Sequence, residues 1–246
     1  MTTLFISDLH LSASRPDMTD CFLRFMAEDT ANIDALYVLG DLFEMWIGDD
    51  EESPFLQQIK QAFKTLTDSG IPCYFVHGNR DFLIGKRFSQ QTGVQLLPEH
   101  SVVDLYGKPT LILHGDTLCI EDEAYQRYRK KVHNKFIQWL FFRIPLSKRI
   151  QIGEKFRNNS SKNNQMKSQS IMDVTASEVV RVMEEFHVDQ MIHGHTHRPD
   201  IHSLTVDDKP ATRIVLGDWY EHGSVLVVTP DGYQLETRAF DQSQCQ

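Results

Sequence analysis

The sequence predicts an α/β fold, a two-sheet sandwich flanked by helices and carrying a helical insertion, and three observations lead there. Short apolar runs near residues 3–7, 35–39 and 73–77 alternate with amphipathic patterns at about 18–31 and 55–68, the βαβαβ order of a parallel sheet. A strand-rich stretch and a long helical stretch follow, and strands close the chain. Several strand-like runs also stop at a glycine or a metal-type side chain, which fits loops at the carboxyl ends of parallel strands, where α/β proteins bind ligands.

Each element has its own signal. The second helical pattern ends near Gly70 and Pro72, residues that stop a helix. After a short segment from Phe82 to Thr92, strands are expected at Val94 to Leu97, at Val102 to Leu105 and, beyond a Gly107-Lys108-Pro109 turn, at Leu111 to His114. Helical sequence runs from about Glu121 to Phe156, broken near Pro145, and again from Ile171 to His187. Final strands are expected at about 190–193, 213–216, 224–229 and 233–238. The whole of 1–246 reads as a single domain, with a basic and aromatic insertion at about 118–170.

Composition narrows the class. A chain of 246 residues that is 41% hydrophobic can bury a substantial core, so disorder is not the expectation. No basic leader precedes the first strand and no apolar run is long enough for a membrane span, from which a cytoplasmic location is expected. Cys21, Cys73, Cys119 and Cys245 show neither metal nor disulfide spacing and receive no chemistry. The net charge is −9, yet Arg127 to Lys167 holds twelve basic residues against the single acid Glu154, +11, so the remainder carries −20. An acidic body with one basic module points to an anionic partner for that module, a phosphate-bearing substrate, a membrane surface or a nucleic acid; a solvated helical face is the plainer reading.

The chemistry sits in five motifs: Asp8-Leu-His10, Gly40-Asp41, Gly78-Asn79-Arg80-Asp81, His114-Gly-Asp116 and His193-Gly-His195-Thr-His197. Two divalent ions a few ångströms apart need a bridging carboxylate, several neutral imidazoles and a hard oxygen ligand, with positions left for water and phosphate. Asp8, His10 and His197 suit one ion, Asn79, His114 and His195 the other, and Asp41 suits the bridge. Each motif alone has an ordinary structural explanation. Five in order at strand ends are not well explained that way. His77 and His193 have no place in this set and read as structural, while Asp116 either orients a ligating imidazole or is a plain turn acid.

These motifs resemble the calcineurin-like metallophosphoesterase superfamily over nearly the whole chain. The resemblance implies a dinuclear centre of Mn²⁺ type, with a metal-bound hydroxide attacking phosphorus. It implies metal ligands Asp8, His10, Asp41, Asn79, His114, His195 and His197, and a catalytic set of Asp41, Asn79, Arg80 and His195. One departure matters: a histidine often stands where this chain has Arg80. A guanidinium does not donate a proton at neutral pH but clamps phosphoryl oxygens, which favours a leaving group needing little protonation, such as another phosphate.

The insertion bears on substrate. Lys135 to Leu146 reads K-F-I-Q-W-L-F-F-R-I-P-L, too short to span a bilayer and suited either to an interfacial helix or to an ordinary core helix. Arg157, Ser160, Asn164 and Lys167 share one face if helical, although their Asn/Ser-rich context equally suits a solvated loop. The longer segments G-D-L-F-E-M-W-I-G-D-D and H-G-N-R-D-F-L-I-G-K-R-F sharpen the resemblance to superfamily members acting on a UDP-diacylated glucosamine in lipid A biosynthesis at the inner face of a Gram-negative inner membrane. It implies substrate contacts from Asn79, Arg80, Asp122, Ser160, Asn164, Lys167 and His195, to which the position of Tyr125 and Arg157 in the insertion adds those two. The implied partners are that substrate and an anionic membrane surface, with no nucleic acid and no obligate protein partner. Two alternatives stand beside this: a nuclease or nucleotide phosphodiesterase whose insertion tracks a nucleic-acid backbone, and a metal-free interaction scaffold.

Overall fold

The computed structural model describes residues 1–166 and 173–240, with the backbone alone for 157–166. β1 (Thr3–Ile6) is buried along its whole length, as a parallel strand covered on both faces must be. It pairs in parallel with β2 (Ala35–Leu39), β2 with β3 (Cys73–Val76) and β3 with the short β4 (Gln95–Leu96). On its other side β1 meets β10 (Gly223–Thr229) antiparallel, and β11 (Gly232–Arg238) completes the sheet in the order β11-β10-β1-β2-β3-β4. The second sheet runs β5 (Ser101–Leu105), β6 (Lys108–Leu113), β7 (Gln190–His193), β9 (Lys209–Val215) and β8 (Asp200–Val206), with β6, β7 and β9 parallel to one another.

Alternation along the strands builds three apolar layers. Phe5, Tyr37, Ile112, Ile192, Ile214 and Leu226 meet between the sheets. Leu4 and Ile6 point the other way, against Phe22 and Phe25 of α1 (Pro16–Glu28), Phe63 of α2 (Pro54–Asp68) and Phe88 of α3 (Lys86–Thr92). On the far face, Leu111, Leu113 and Met191 pack on Val179, Val182 and Met183 of α7 (Ala176–Glu185). The expected two-sheet α/β sandwich is the observed one. α2 begins as its sequence asks, with Ser53 accepting from Leu56 N at 3.2 Å and Pro54 in the first turn.

Four details differ from the expectation. Residues 86–92 form α3, nucleated by Asp49, whose Oδ2 accepts from Arg87 N and Phe88 N. β8 is an extra edge strand, polar enough to hide its period, joined to β9 by a two-residue turn at Asp207 and Asp208 with φ of 49° and 58°. The long insertion helix also breaks before Pro145: Asn134 accepts from Phe136 N and Ile137 N, so α4 (Glu123–Val132) ends and α5 (Lys135–Phe142) begins. α6 (Leu146–Met166) runs well past Phe156, so its Asn/Ser-rich stretch is helical backbone. α5 buries none of its residues, and among the described residues no helix is long and apolar enough to cross a membrane.

Candidate metal centre

The carboxyl ends of β1, β2, β3, β6 and β7 deliver Asp8, Asp41, Asn79, His114 and His195 to one place, and the loops beyond add His10 and His197. Asp8, His10, Asp41, His195 and His197 all have positive φ, between 48° and 71°. For residues with a Cβ that conformation costs about 1–3 kcal/mol each, and it is held here because the loops bind one another. Asp8 N donates to Gly40 O at 3.1 Å, His10 N to Asp41 O at 2.9 Å, and His195 N to Asp8 Oδ2 at 2.8 Å. At Gly78 a Cβ would stand 2.2 Å from Asp41 Oδ1, so the approach of the β2 and β3 loops requires glycine there.

Two sets of donor atoms result. In the first, His10 Nε2 and His197 Nε2 are 3.4 Å apart, His197 Nε2 is 3.3 Å from Asp8 Oδ1, and His10 Nε2 is 3.8 Å from Asp41 Oδ2. In the second, His114 Nε2 is 3.0 Å from Asn79 Oδ1, 3.2 Å from His195 Nδ1 and 3.7 Å from Asp41 Oδ1. Atoms that share one ion at about 2.0–2.2 Å stand roughly 3–3.5 Å apart; four of these spacings fall in that range, and the two to Asp41 are slightly longer. Asp41 offers one oxygen to each set. Asp8 is fully buried, and its Oδ1, within the first set, has no hydrogen-bond partner. A buried, unpaired carboxylate oxygen facing two imidazole nitrogens fits a divalent cation.

Electrostatics agrees. Burial would raise the Asp8 carboxyl, but the charge of the neighbouring His197, with those of His114 and His10, brings it far below the usual range. Burial pushes Asp41 up to about 7, as a carboxylate short of positive charge. Burial also drives His10 down to about 3 and His195 well below its ordinary value, so both present neutral rings, as ligation requires. Against the opposing effect of burial, Asp41 and Asp8 hold His114 up to about 9, and Asp8 and Asp218 hold His197 up to about 10. Positive charge is what this cluster calls for.

Neighbouring groups fix the rings. His114 Nδ1 lies 2.8 Å from Leu39 O, which leaves Nε2 for the second set. His197 Nδ1 meets Asp218 Oδ2 at 3.1 Å, and His10 Nδ1 lies 3.5 Å from Glu44 Oε2. Asp81 accepts from Gly78 N, Asp41 N and Leu42 N and ties the β2 and β3 loops together. Asp218, Glu44 and Tyr220, whose ring stacks on His10 at 5.5 Å, have no part in the sequence expectations, and Asp81 enters them only as the end of the Gly78-Asn79-Arg80-Asp81 motif. The signal for Asp218 was present, because Gly217-Asp218 after β9 repeats the Gly40-Asp41 pattern after β2.

The other candidates separate. Arg80 borders the centre, and its Nε is buried without a hydrogen-bond partner. Tyr125 lies over His195 with ring centres 6.3 Å apart, its hydroxyl donating to Asp116 Oδ2 at 2.5 Å. Of the two readings open for Asp116, an imidazole partner or a plain turn acid, its hydrogen bonds follow neither: besides Tyr125 its Oδ2 accepts from Arg129 Nε at 2.6 Å. Asp122 caps α4 by accepting from Tyr125 N at 3.0 Å. Arg157, Ser160 and Asn164 lie on the helical backbone of α6 with side chains outside the described set, and Lys167 and Cys245 lie outside the described residues. His77 meets Ile84 O and His193 meets Gly194 O, and neither joins the donor sets.

A family model for the calcineurin-like phosphoesterases matches residues 1–199. The UDP-2,3-diacylglucosamine hydrolase of Photobacterium profundum is 72% identical over 98% of this chain and 99% of its own length. That of Vibrio vulnificus is 56% identical over 98% and 99%. Among solved structures, an archaeal phosphodiesterase aligns over 96% of this chain and 99% of its own at 13% identity, with a TM-score of 0.47. Its strand-end donor sets and the match of family and relatives along most of its length lead to one conclusion: the chain belongs to the calcineurin-like phosphoesterase family.

Proposed function

We propose that the protein hydrolyses the diphosphate bond of UDP-2,3-diacylglucosamine, giving UMP and 2,3-diacylglucosamine 1-phosphate (lipid X), a step of lipid A biosynthesis. The observation that carries this is near-full-length identity of 72% to a relative bearing that substrate's name, together with the two donor sets that Asp41 joins. The family works with divalent ions, and Mn²⁺ suits the mixed carboxylate, amide and imidazole donors. When bound, the ions supply Lewis acidity toward the phosphoryl oxygens and make water a stronger nucleophile.

The chain's own groups do the rest. Asp8, His10, Asp41 and His197 would hold one ion, and Asp41, Asn79, His114 and His195 the other. Arg80, with its Nε unclaimed, binds the phosphoryl oxygens and offsets the charge that grows on them, and the departing phosphate needs no proton from it. Asn79 and His195 face the same phosphate, and Tyr125 borders it over His195. Asp122, Arg157, Ser160, Asn164 and Lys167 bring the insertion's polar contacts to the sugar and diphosphate. The insertion at about 118–170 acts as a cap within one domain of residues 1–246. Exposed Phe136, Ile137, Trp139 and Leu140 on α5 support acyl contact and peripheral attachment to the cytoplasmic face of an anionic inner membrane.

The test is hydrolysis of UDP-2,3-diacylglucosamine beside an oligonucleotide and a simple aryl diester, after chelation and again with added Mn²⁺. Release of UMP that stops on chelation and returns with Mn²⁺ is expected. Cleavage of the oligonucleotide with the sugar nucleotide untouched would sink the proposal.

A further inference from the structure

Arg149, near the start of α6, has only 3% of its side chain exposed. Every arm of its guanidinium is occupied: Nε donates to Ile144 O at 2.9 Å, Nη1 to Ile47 O at 2.7 Å, and Nη2 to Asp50 Oδ2. Ile144 lies in the turn between α5 and α6, whereas Ile47 and Asp50 lie in the loop between β2 and α2. The rings of Phe141 and Phe142, at the end of α5, stand 6.0 and 5.8 Å from the guanidinium carbon.

The receiving loop is shaped for this contact. Gly48 has φ of +141°, and a Cβ on it would lie 2.5 Å from Arg149 Nη1. Further along α6, a Cβ on Gly153 would lie 2.4 Å from Met45 Sδ and 3.0 Å from Ile47 Cγ2, so the loop's side chains pack directly on the helix backbone there. The same loop is tied to the metal centre's edge, because Trp46 N donates to Arg80 O at 3.0 Å. A methionine at 149 would fill the space; what the guanidinium adds is direction, since three fixed acceptors admit one placement of the turn.

We infer that Arg149 is a positioning residue: it locks the α5–α6 turn to the loop that holds Arg80's main chain, and so sets where the apolar residues of α5 stand relative to the reacting phosphate. The inference rests on the proposed substrate in one respect, that α5 meets acyl chains. Arg149 touches no reacting atom. Its contribution is therefore to recognition of the acylated half and not to cleavage of small diesters.

The test compares Arg149→Met, Arg149→Lys and Gly48→Ala with the full-length wild type. Gly48→Ala disturbs the same contact while leaving the guanidinium in the chain. KM and kcat are measured on UDP-2,3-diacylglucosamine in mixed micelles and on bis-p-nitrophenyl phosphate, with Mn per chain and amide exchange across α5. Arg149→Met and Gly48→Ala should each raise KM for the lipid about tenfold or more, leave kcat and the diester rate within about twofold, and speed exchange in α5; Arg149→Lys should fall between. Parallel loss on both substrates, or an unchanged KM for the lipid, would overturn the inference. Should the wild type leave UDP-2,3-diacylglucosamine intact, the substrate proposal falls alone and exchange decides: unchanged protection of α5 in both variants shows that Arg149 does not hold it. If Arg149→Met does not fold, Gly48→Ala carries the test.

Discussion

The main-chain N–H of Arg80 donates to Asp41 Oδ1 at 2.8 Å, so the residue proposed to offer a guanidinium to phosphate also steadies the carboxylate shared by the two donor sets. Different atoms of Arg80 serve the two purposes. Arg80→Ala should therefore lower kcat about 100-fold, about 3 kcal/mol of transition-state stabilisation, with metal content per chain unchanged. Elemental analysis beside steady-state kinetics checks it; loss of metal from the variant would place the side chain in a structural role instead.

Asp218 reaches His197 Nδ1 from outside the donor set and leaves Nε2 pointing inward. Asp218→Asn keeps the shape and loses the charge that makes the ring a better ligand. Affinity for one of two ions should fall about 10- to 100-fold while the other stays bound. Titration calorimetry of chelated protein with Mn²⁺ would resolve two unequal sites, and two unaltered sites would remove Asp218 from the account.

His133 stacks on Phe82 with ring centres 4.8 Å apart, and burial, aided by Arg129, pushes its pKa down to about 4. The unfolded chain, with an ordinary histidine near 6.5, then binds more protons between pH 6.5 and 4 than the folded one. Stability from this contact is present above about 6.5 and is lost as pH falls toward 4. His133→Phe keeps a stacking ring and cannot take the proton, so its melting temperature should fall less over that window than the wild type's. Parallel curves would show that His133 does not contribute.

Phe136 and Trp139 stack on each other at 5.7 Å, Arg143 lies 3.8 Å from the Trp139 ring, and none of this helix is buried. Phe136→Asp with Trp139→Asp should thus change the melting temperature little, by the rule for exposed sites. The same variant should lose most binding to anionic vesicles while still cleaving small soluble diesters. Undiminished vesicle binding would remove α5 from the proposed membrane contact.

The donor residues could be read from the chain because each closes a strand whose apolar run is itself legible: Leu36 to Leu39 before Gly40-Asp41, Met191 and Ile192 before His193. What escaped were residues whose role exists only across the fold. Asp81 looks like the tail of a motif until it is seen accepting from the neighbouring β2 loop. Asp116 beside His114 invited a local partner, yet its carboxylate turns to Tyr125 and Arg129, which local spacing does not reveal. Similarly, β8 was hidden because its residues alternate polar and apolar weakly at a sheet edge, where one face needs no core.

The pairing of β1 with β10 makes the centre depend on contacts far apart along the chain. Asp8 precedes every other candidate ligand in the sequence, yet its carbonyl accepts from Trp219 N, its carboxylate from His195 N, and its strand lies in register with Leu226 to Val228. The stretch from Asp8 to His197 holds every candidate ligand and lacks β10, the strand that closes one side of β1. Contacts so distant along the chain form late, because the loop must be closed before they gain anything. Assembly of the donor sets is thereby expected late in folding, and before it the chain presents separate aspartates and histidines rather than one cluster.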